Sequence, residues 1–156
     1  MTIRNLEDQD FLRISTNLNH WWGGRDMVDM LPRLFIEHFK NTSFIMEENG
    51  ETLGFVIGFV SPVNSSNAYI HFVGVNPNVR KQRIGRTLYE HFFHEVKDKG
   101  CKIVNCVTSP VNQPSIEFHL KLGFKMKDGD FEVKGIPIQQ NYDGIGIDRV
   151  LFEKSL

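Results

Sequence analysis

One stretch constrains this chain more than any other, the run from Ala68 to Leu88: Ala-Tyr-Ile-His-Phe-Val-Gly-Val-Asn-Pro-Asn-Val-Arg-Lys-Gln-Arg-Ile-Gly-Arg-Thr-Leu. Ala68 to Val75 is apolar and β-branched enough for a strand buried on both faces, and Asn76-Pro77-Asn78 turns it. From Ile84 the apolar residues step by four through Leu88, Phe92 and Val96, which predicts a helix running to Lys97 and Lys99 and closed by Gly100. A buried strand that feeds a basic turn and then a helix start brings free backbone N–H groups and the positive end of the helix dipole to one place. Arg80, Lys81, Arg83 and Arg86 converge on it. The combination predicts an anion site; a solvated charge run at a helix start is the other reading of the same residues. No G-x-G-x-x-G follows a strand and no G-x-x-x-x-G-K-[ST] occurs, so neither a dinucleotide fingerprint nor a P-loop is supported.

Around that stretch the pattern alternates between helix and strand. Thr2 to Asn5 predicts a short strand, and the acidic run Glu7, Asp8, Asp10 opens a helix carrying Phe11, Leu12, Ile14 and Leu18. A loop with His20, Trp21, Trp22, Gly23, Gly24 and Arg25 leads to a second helix marked by Val28, Leu31, Leu34, Phe35 and Phe39, with Pro32 blurring its start. Phe44 to Glu48, Asn49-Gly50 and Glu51 to Val60 have the form of a two-residue hairpin. Lys102 to Thr108 predicts a strand, Pro114 to Leu122 a short helix, and Phe124 to Lys127 and Ile145 to Phe152 the last strands. Lys127 to Gly144, rich in Gly, Asp and Gln, is the nearest to a loose segment.

At 156 residues the chain is expected to form one domain, residues 1–156. With 18 Lys plus Arg against 19 Asp plus Glu, no global positive field exists to hold a nucleic-acid backbone, and none is expected as the main partner. Met1 to Asp10 carries three acids, the opposite of a signal peptide, and no apolar run approaches the roughly 18 residues of a membrane span. Cys101 and Cys106 are separated by strand-like residues that keep them from bonding each other, so a reduced, cytoplasmic protein without membrane attachment is expected. His91 and His94 are three apart on the long helix, but no third ligand has a credible spacing, and no metal is expected.

The central stretch resembles motif A of the GNAT superfamily of acyl-CoA-dependent N-acetyltransferases: a strand, a Val-x-Pro turn and [Gln/Arg]-x-x-Gly-x-[Gly/Ala] at a helix start. Val75-Asn76-Pro77 fits the turn, and Arg80-Lys81-Gln82-Arg83-Ile84-Gly85 fits the phosphate loop, with Arg83 where the middle glycine is usual. That departure requires a φ angle an Arg can adopt. Asn112-Gln113-Pro114-Ser115-Ile116-Glu117-Phe118-His119-Leu120-Lys121-Leu122-Gly123-Phe124 is similar to motif B: an Asn at a strand end, a short helix, then Gly-Phe. The resemblance covers about Ile3 to Phe124. It implies an α/β (α+β) fold with a mixed, mostly antiparallel central sheet of about seven strands, helices on both faces, and a splay between strands 4 and 5.

The same resemblance implies an N-acetyltransferase that moves the acetyl group of acetyl-CoA to a primary amine by direct attack in a ternary complex. The CoA pyrophosphate would rest on backbone N–H groups from Gln82 to Thr87, with Arg80, Lys81, Arg83, Ile84, Gly85 and Arg86 around it. The pantetheine would run as an extra strand between the strands ending near Val75 and Thr108. Val73 and Val75 would bond it, and an N–H at a bulge permitted by Gly74 would polarise the carbonyl. Asn112, Ser115 and Phe118 would form the opposite wall. His119 occupies the position where many members have a tyrosine acid, and reads either as a proton donor to the thiolate or as a residue lining its site. His71 reads either as the base for the amine, acting through water, or as a histidine fixed in the sheet by a hydrogen bond. Trp21, Trp22 and Arg25 lie on the loop that overhangs the acceptor site in this fold, as contacts for a charged acceptor or as core and surface residues; Tyr69 and Tyr142 are further candidates for that cleft. A non-catalytic acyl-CoA sensor of the same fold is the alternative, motivated by the His in place of Tyr. An interaction protein that no longer binds CoA is the third reading. Members often pair through sheet edges, which makes a homodimer one expected assembly, whereas no motif identifies the acceptor.

Overall fold

Alternating burial builds the sheet outward from its longest strands. In the computed structural model, which describes residues 1–156 with the side chain of Lys81 outside the described residues, the chain runs β1 (Thr2–Asn5), α1 (Asp10–Trp21), α2 (Leu34–Phe39), β2 (Phe44–Glu48), β3 (Glu51–Val60), β4 (Asn67–Val75), α3 (Ile84–Asp98), β5 (Ile103–Thr108), α4 (Gln113–Lys121), β6 (Lys125–Met126), β7 (Phe131–Val133), β8 (Ile136–Ile138) and β9 (Val150–Ser155). Seven strands form one sheet in the order β1-β2-β3-β4-β5-β9-β6, and β7 and β8 form a separate hairpin. Every pairing in the large sheet is antiparallel except β4 with β5. This is the mixed, mostly antiparallel seven-stranded sheet expected from the sequence.

Each face of the sheet carries its own core. One is built by α3 and α4 on Phe44, Val56, Ala68, Val104, Phe152 and their neighbours. The other is built by α1 and α2 on Ile45, Phe55, Ile57 and Phe72. The β2–β3 turn forms as the sequence predicts, with Asn49 and Gly50 both at positive φ (51° and 78°), the requirement of a type I′ hairpin.

Where β4 meets β5 the sheet opens. The parallel ladder holds only Asn67↔Ile103, Ala68↔Val104 and Tyr69↔Asn105, so β4 from Ile70 onward has no partner on that side. Its other edge stays paired to β3 up to Val75. The splay between strands 4 and 5 is therefore present, and a bulge marks its start. Ile57 faces Phe72 and Gly58 faces Ile70, which leaves His71 as the extra residue. The bulge is thus at His71, not at Gly74. It inverts the side-chain alternation, so that Ala68 and Ile70 belong to the α3 face and Phe72 to the α1 face, while Val73 and Val75 return to the α3 face.

Three local expectations are corrected. The second helix does not run from Val28: a 3-10 turn (Val28–Met30) precedes Pro32, and α2 begins only at Leu34, because proline disfavours helical backbone in the residue before it. The last strand is Val150–Ser155 rather than Ile145–Phe152. Residues 141–148 fold back on themselves instead, with the Asn141 amide donating to Asp148 Oδ1 and the Gly146 amide to Asn141 Oδ1. The loose segment contains a hairpin, β7 and β8 joined by Lys134-Gly135 at positive φ. Among the described residues, no helix is long and apolar enough to cross a membrane.

Candidate active site

The turn after β4 and the start of α3 form one wall of a groove. Pro77 opens a 3-10 turn capped by the Asn76 side chain, which accepts the Asn78 amide. Arg83 then adopts a left-handed conformation (φ 60°, ψ 27°) and serves as the residue from which α3 departs. The ladder of α3 starts with the Thr87 amide donating to the Arg83 carbonyl, and the amides of a first turn have no intrahelical acceptor. The opposite wall is α4, whose N-cap is the Asn112 side chain accepting the Ser115 amide. Between them lies a cleft of about 570 Å³ lined by Val73, Val75, Arg80, Arg83, Gly85, Arg86, Tyr89, Asn112, Ser115, Phe118, His119 and Leu122, among others. Most of the residues expected to hold a cofactor are brought together there.

The remaining candidates contribute differently. Ile84 is 1% exposed and sits in the core, so it offers only backbone. Gln82 and Thr87 are exposed, and the Thr87 hydroxyl donates to the Arg83 carbonyl. Lys81 falls on the one side chain outside the described residues. Arg80 reaches across the end of the sheet and donates to the Trp21 carbonyl at 2.7 Å, tying the basic turn to the end of α1. Gly74 has a role other than the expected bulge: an added Cβ would overlap the Phe55 ring and come within 3.0 Å of Trp22.

Beside the groove a smaller cavity of about 180 Å³, a candidate passage, lies in the splay, lined by Ile70, His71, Phe72, Val73, Tyr89, Cys106, Val107, Thr108, Ser115 and His119. The two candidate catalytic histidines therefore border the same gap, from opposite sides. On the α2 side, the His71 ring stacks on Phe35 at 4.2 Å, and its Nε2 lies 2.6 Å from the Met30 carbonyl oxygen. A carbonyl only accepts, so Nε2 carries the proton and Nδ1 is the lone pair. Burial pulls the His71 pKa below its ordinary value, against the opposing effect of the Met30 bond. On the α4 side, His119 Nδ1 donates to the Ser115 carbonyl at 2.7 Å, which leaves Nε2 to accept the Tyr89 hydroxyl at 2.8 Å. Burial again lowers the pKa, so both histidines are neutral near pH 7. Tyr89 was not singled out in the sequence, because it reads there as one more apolar residue of α3.

The acceptor candidates separate. Trp21 is 5% exposed and stacks on Phe55, so it belongs to the core and has no face to offer a ligand. Trp22 stacks on Phe72 at 4.9 Å beneath β4. Arg25 is exposed and lines neither the groove nor the passage. Tyr69 and Tyr142 share a cleft of about 280 Å³ with Asn67, Asn105, Cys106, Lys127 and others.

A sheet parted between two parallel strands, with an amide-rich basic turn on one wall of the gap, defines the acetyltransferase class of α/β proteins. A model of the acetyltransferase (GNAT) family matches residues 3–124, and the chain belongs to that family. It is 27% identical over 93 residues to an L-2,4-diaminobutyric acid acetyltransferase of Virgibacillus pantothenticus, an alignment covering 60% of this chain and 58% of that protein. The chain spans about half the length of the curated relatives it matches. Among solved structures it superposes on a GNAT-family protein from Desulfovibrio desulfuricans with a TM-score of 0.81 at 17% identity, covering 99% and 98% of the two chains. On the diaminobutyrate acetyltransferase of Paenibacillus lautus the TM-score is 0.74 at 21% identity, over 99% and 93% of the chains. Both superpositions establish the fold.

Proposed function

We propose that residues 1–156 form a single acetyltransferase domain that transfers the acetyl group of acetyl-CoA to a primary amine. The observation that carries this reading is the cavity in the β4–β5 splay, which shares Val73, Tyr89, Ser115 and His119 with the basic groove and Cys106 and Val107 with the aromatic cleft.

The groove suits a CoA. Its polar wall offers Arg80, Arg83 and Arg86 beside the first-turn amides of α3 for phosphates, and Val73, Val75, Phe118 and Leu122 for an apolar arm. Gly85 lies on the floor, where an added Cβ would stand 3.4 Å from Phe118 and 3.5 Å from Val75, ordinary contact distances. The unpaired edge of β4 beyond Tyr69 supplies main-chain groups that a pantetheine amide would bond in the manner of an added strand. A backbone N–H near the His71 bulge then stands where a thioester carbonyl enters the passage, in the role of an oxyanion donor. His71 acts as the base through Nδ1, since Nε2 is committed to Met30.

The acceptor is a small amine entering from the side of Phe35, Tyr69 and Trp22. The relatives named for diaminobutyrate make 2,4-diaminobutyrate the first amine to try. The test is a calorimetric titration with acetyl-CoA, CoA and ADP, followed by thiol release from acetyl-CoA with 2,4-diaminobutyrate, a peptide with an N-terminal alanine and an aminoglycoside. Saturable binding of acetyl-CoA and CoA, weaker binding of ADP, and amine-dependent thiol release are expected. CoA binding with no release across a broad amine panel would favour the sensor reading, and no binding at all would overturn the groove assignment.

A further inference from the structure

We propose that Tyr89, on α3, is the catalytic residue that protonates the departing CoA sulfur, with His119 as the positioning residue that holds its hydroxyl at the passage. This rests on the acetyltransferase reading above. It assigns the acid to a different helix from the one the motif B position indicates.

The hydrogen-bond chain fixes the direction. The Ser115 carbonyl can only accept, so His119 Nδ1 carries the ring proton, Nε2 is the acceptor, and the Tyr89 hydroxyl donates to it. His119 thus has no proton to give on its Nε2 side, whereas the Tyr89 hydroxyl carries one, held on His119 Nε2. Tyr89 is 4% exposed yet lines both the groove and the passage, and among the described residues it is the sole tyrosine to do so. Its ring is held edge-on by Phe93, Phe118, Phe124 and His119. Among the described residues no Asp or Glu lines either space, so no carboxylic acid there competes for the role. The titratable groups facing Tyr89 are His119 from α4 and Cys106 from β5, both kept uncharged by burial, and the charges along the groove are Arg80, Arg83, Arg86 and Lys121.

The proton balance is complete. His71 Nδ1 takes the proton of the ammonium through water and passes it to solvent; the neutral amine nitrogen then bonds to the thioester carbon, and the carbonyl pair moves onto oxygen. When the C=O re-forms, the C–S bond breaks and its electron pair leaves on sulfur. The Tyr89 hydroxyl then swings its proton from His119 Nε2 to that sulfur, giving CoA thiol. The phenolate recovers a proton from the nascent amide nitrogen, relayed by water along the passage, and the Tyr89–His119 bond is restored.

Three readouts test this. Tyr89→Phe should lower kcat by about 100-fold or more, the usual range for a positioned acid, while calorimetric affinity for acetyl-CoA stays within about twofold. Moving the hydroxyl in the double variant Tyr89→Phe/His119→Tyr should recover most of that loss, which a merely structural tyrosine would not do. Independently of any amine, the thiol of bound CoA should titrate about one pH unit higher in Tyr89→Phe than in wild type, read as thiolate absorbance against a desulfo-CoA complex. In wild type, kcat should hold between about pH 7 and 9, whereas a His119 imidazolium acid would lose about tenfold per unit there. Wild-type turnover and an unshifted CoA thiol in Tyr89→Phe would overturn the assignment. If CoA binds but no amine is acetylated, the transferase reading fails while the thiol titration still decides whether Tyr89 meets the sulfur.

Discussion

The two sides of the β4–β5 gap are made in different ways. The groove side comes from two nearly continuous segments, Val73 to Tyr89 and Asn112 to Leu122, and much of its binding capacity is backbone amide and cation. The acceptor side is assembled from β3, β4, β5, β9 and the folded-back loop around Tyr142, with α2 stacking Phe35 on His71. One of its polar groups is already engaged, His71 with the Met30 carbonyl. A site for a common phosphate-bearing group can be written in a local motif. A site for a particular amine depends on side chains distant in sequence, and each can change without disturbing the other face.

The sharpest test of that contrast is a charge placed in the groove alone. Gly85→Glu should remove measurable binding of acetyl-CoA and CoA, because its carboxylate would project into the groove proposed to take the CoA phosphates. The added Cβ has ordinary van der Waals room against Val75 and Phe118, so the melting temperature should stay within a few degrees. A variant that melts normally and still binds CoA would place the cofactor elsewhere.

The second test sits across the gap. His71→Gln keeps an N–H for the Met30 carbonyl but removes the basic Nδ1, so kcat should fall by about 100-fold with CoA affinity near wild type. Burial lowers the pKa of His71, so the free base dominates above the ordinary histidine range, and wild-type kcat/KM should decline only as pH drops below it. That acid limb should be absent in the variant; unchanged turnover across pH 6 to 9 would remove His71 from the chemistry. Stability follows the same sign. The unfolded chain takes up protons at His71 and His119 before the folded chain does, so acidification through that window destabilises the fold.

The legibility of the sequence divides along the same line. The β2–β3 hairpin, β4, α3, β5 and α4 all follow from local pattern, since Asn49-Gly50, the four-residue spacing from Ile84 and Pro114 at the start of α4 each act within a turn or two. The position of the bulge is not local: Gly74 looks like the flexible point, yet the register slips at His71, where β3 and β4 change partners. Tyr89 is hidden for a related reason. Its position suits an apolar residue, and only the approach of α4 across the groove gives its hydroxyl a partner. The β7–β8 hairpin lies inside the segment that reads as loose, because strands of three residues are too short to show an alternating pattern. Trp21 and Trp22 read as a pair although the helix end turns one into the core and the other toward β4.

Gly74 links the two sides and should respond through stability. Its bare Cα receives the Phe55 ring and the edge of Trp22, so Gly74→Ala should destabilise by about 1 to 3 kcal/mol through overpacking, a drop of a few degrees in melting temperature. An unchanged melting temperature would mean that Phe55 and Trp22 shift freely, and the acceptor wall would then be softer than its stacking implies.

The smallest expected effect is at Arg83, where the two demands on the groove wall oppose each other. The residue sits at φ 60°, a conformation that costs a non-glycine side chain about 1 kcal/mol and glycine little, while glycine adds a comparable entropy to the unfolded chain. Arg83→Gly should therefore leave stability within about 1 kcal/mol of wild type. The substitution also removes a groove-lining cation while sparing the amides and the turn, so acetyl-CoA should bind severalfold more weakly, with a shallower dependence on salt. If affinity is instead unchanged at low ionic strength, the phosphates are held by backbone alone, and the arginine at this position adds only strain.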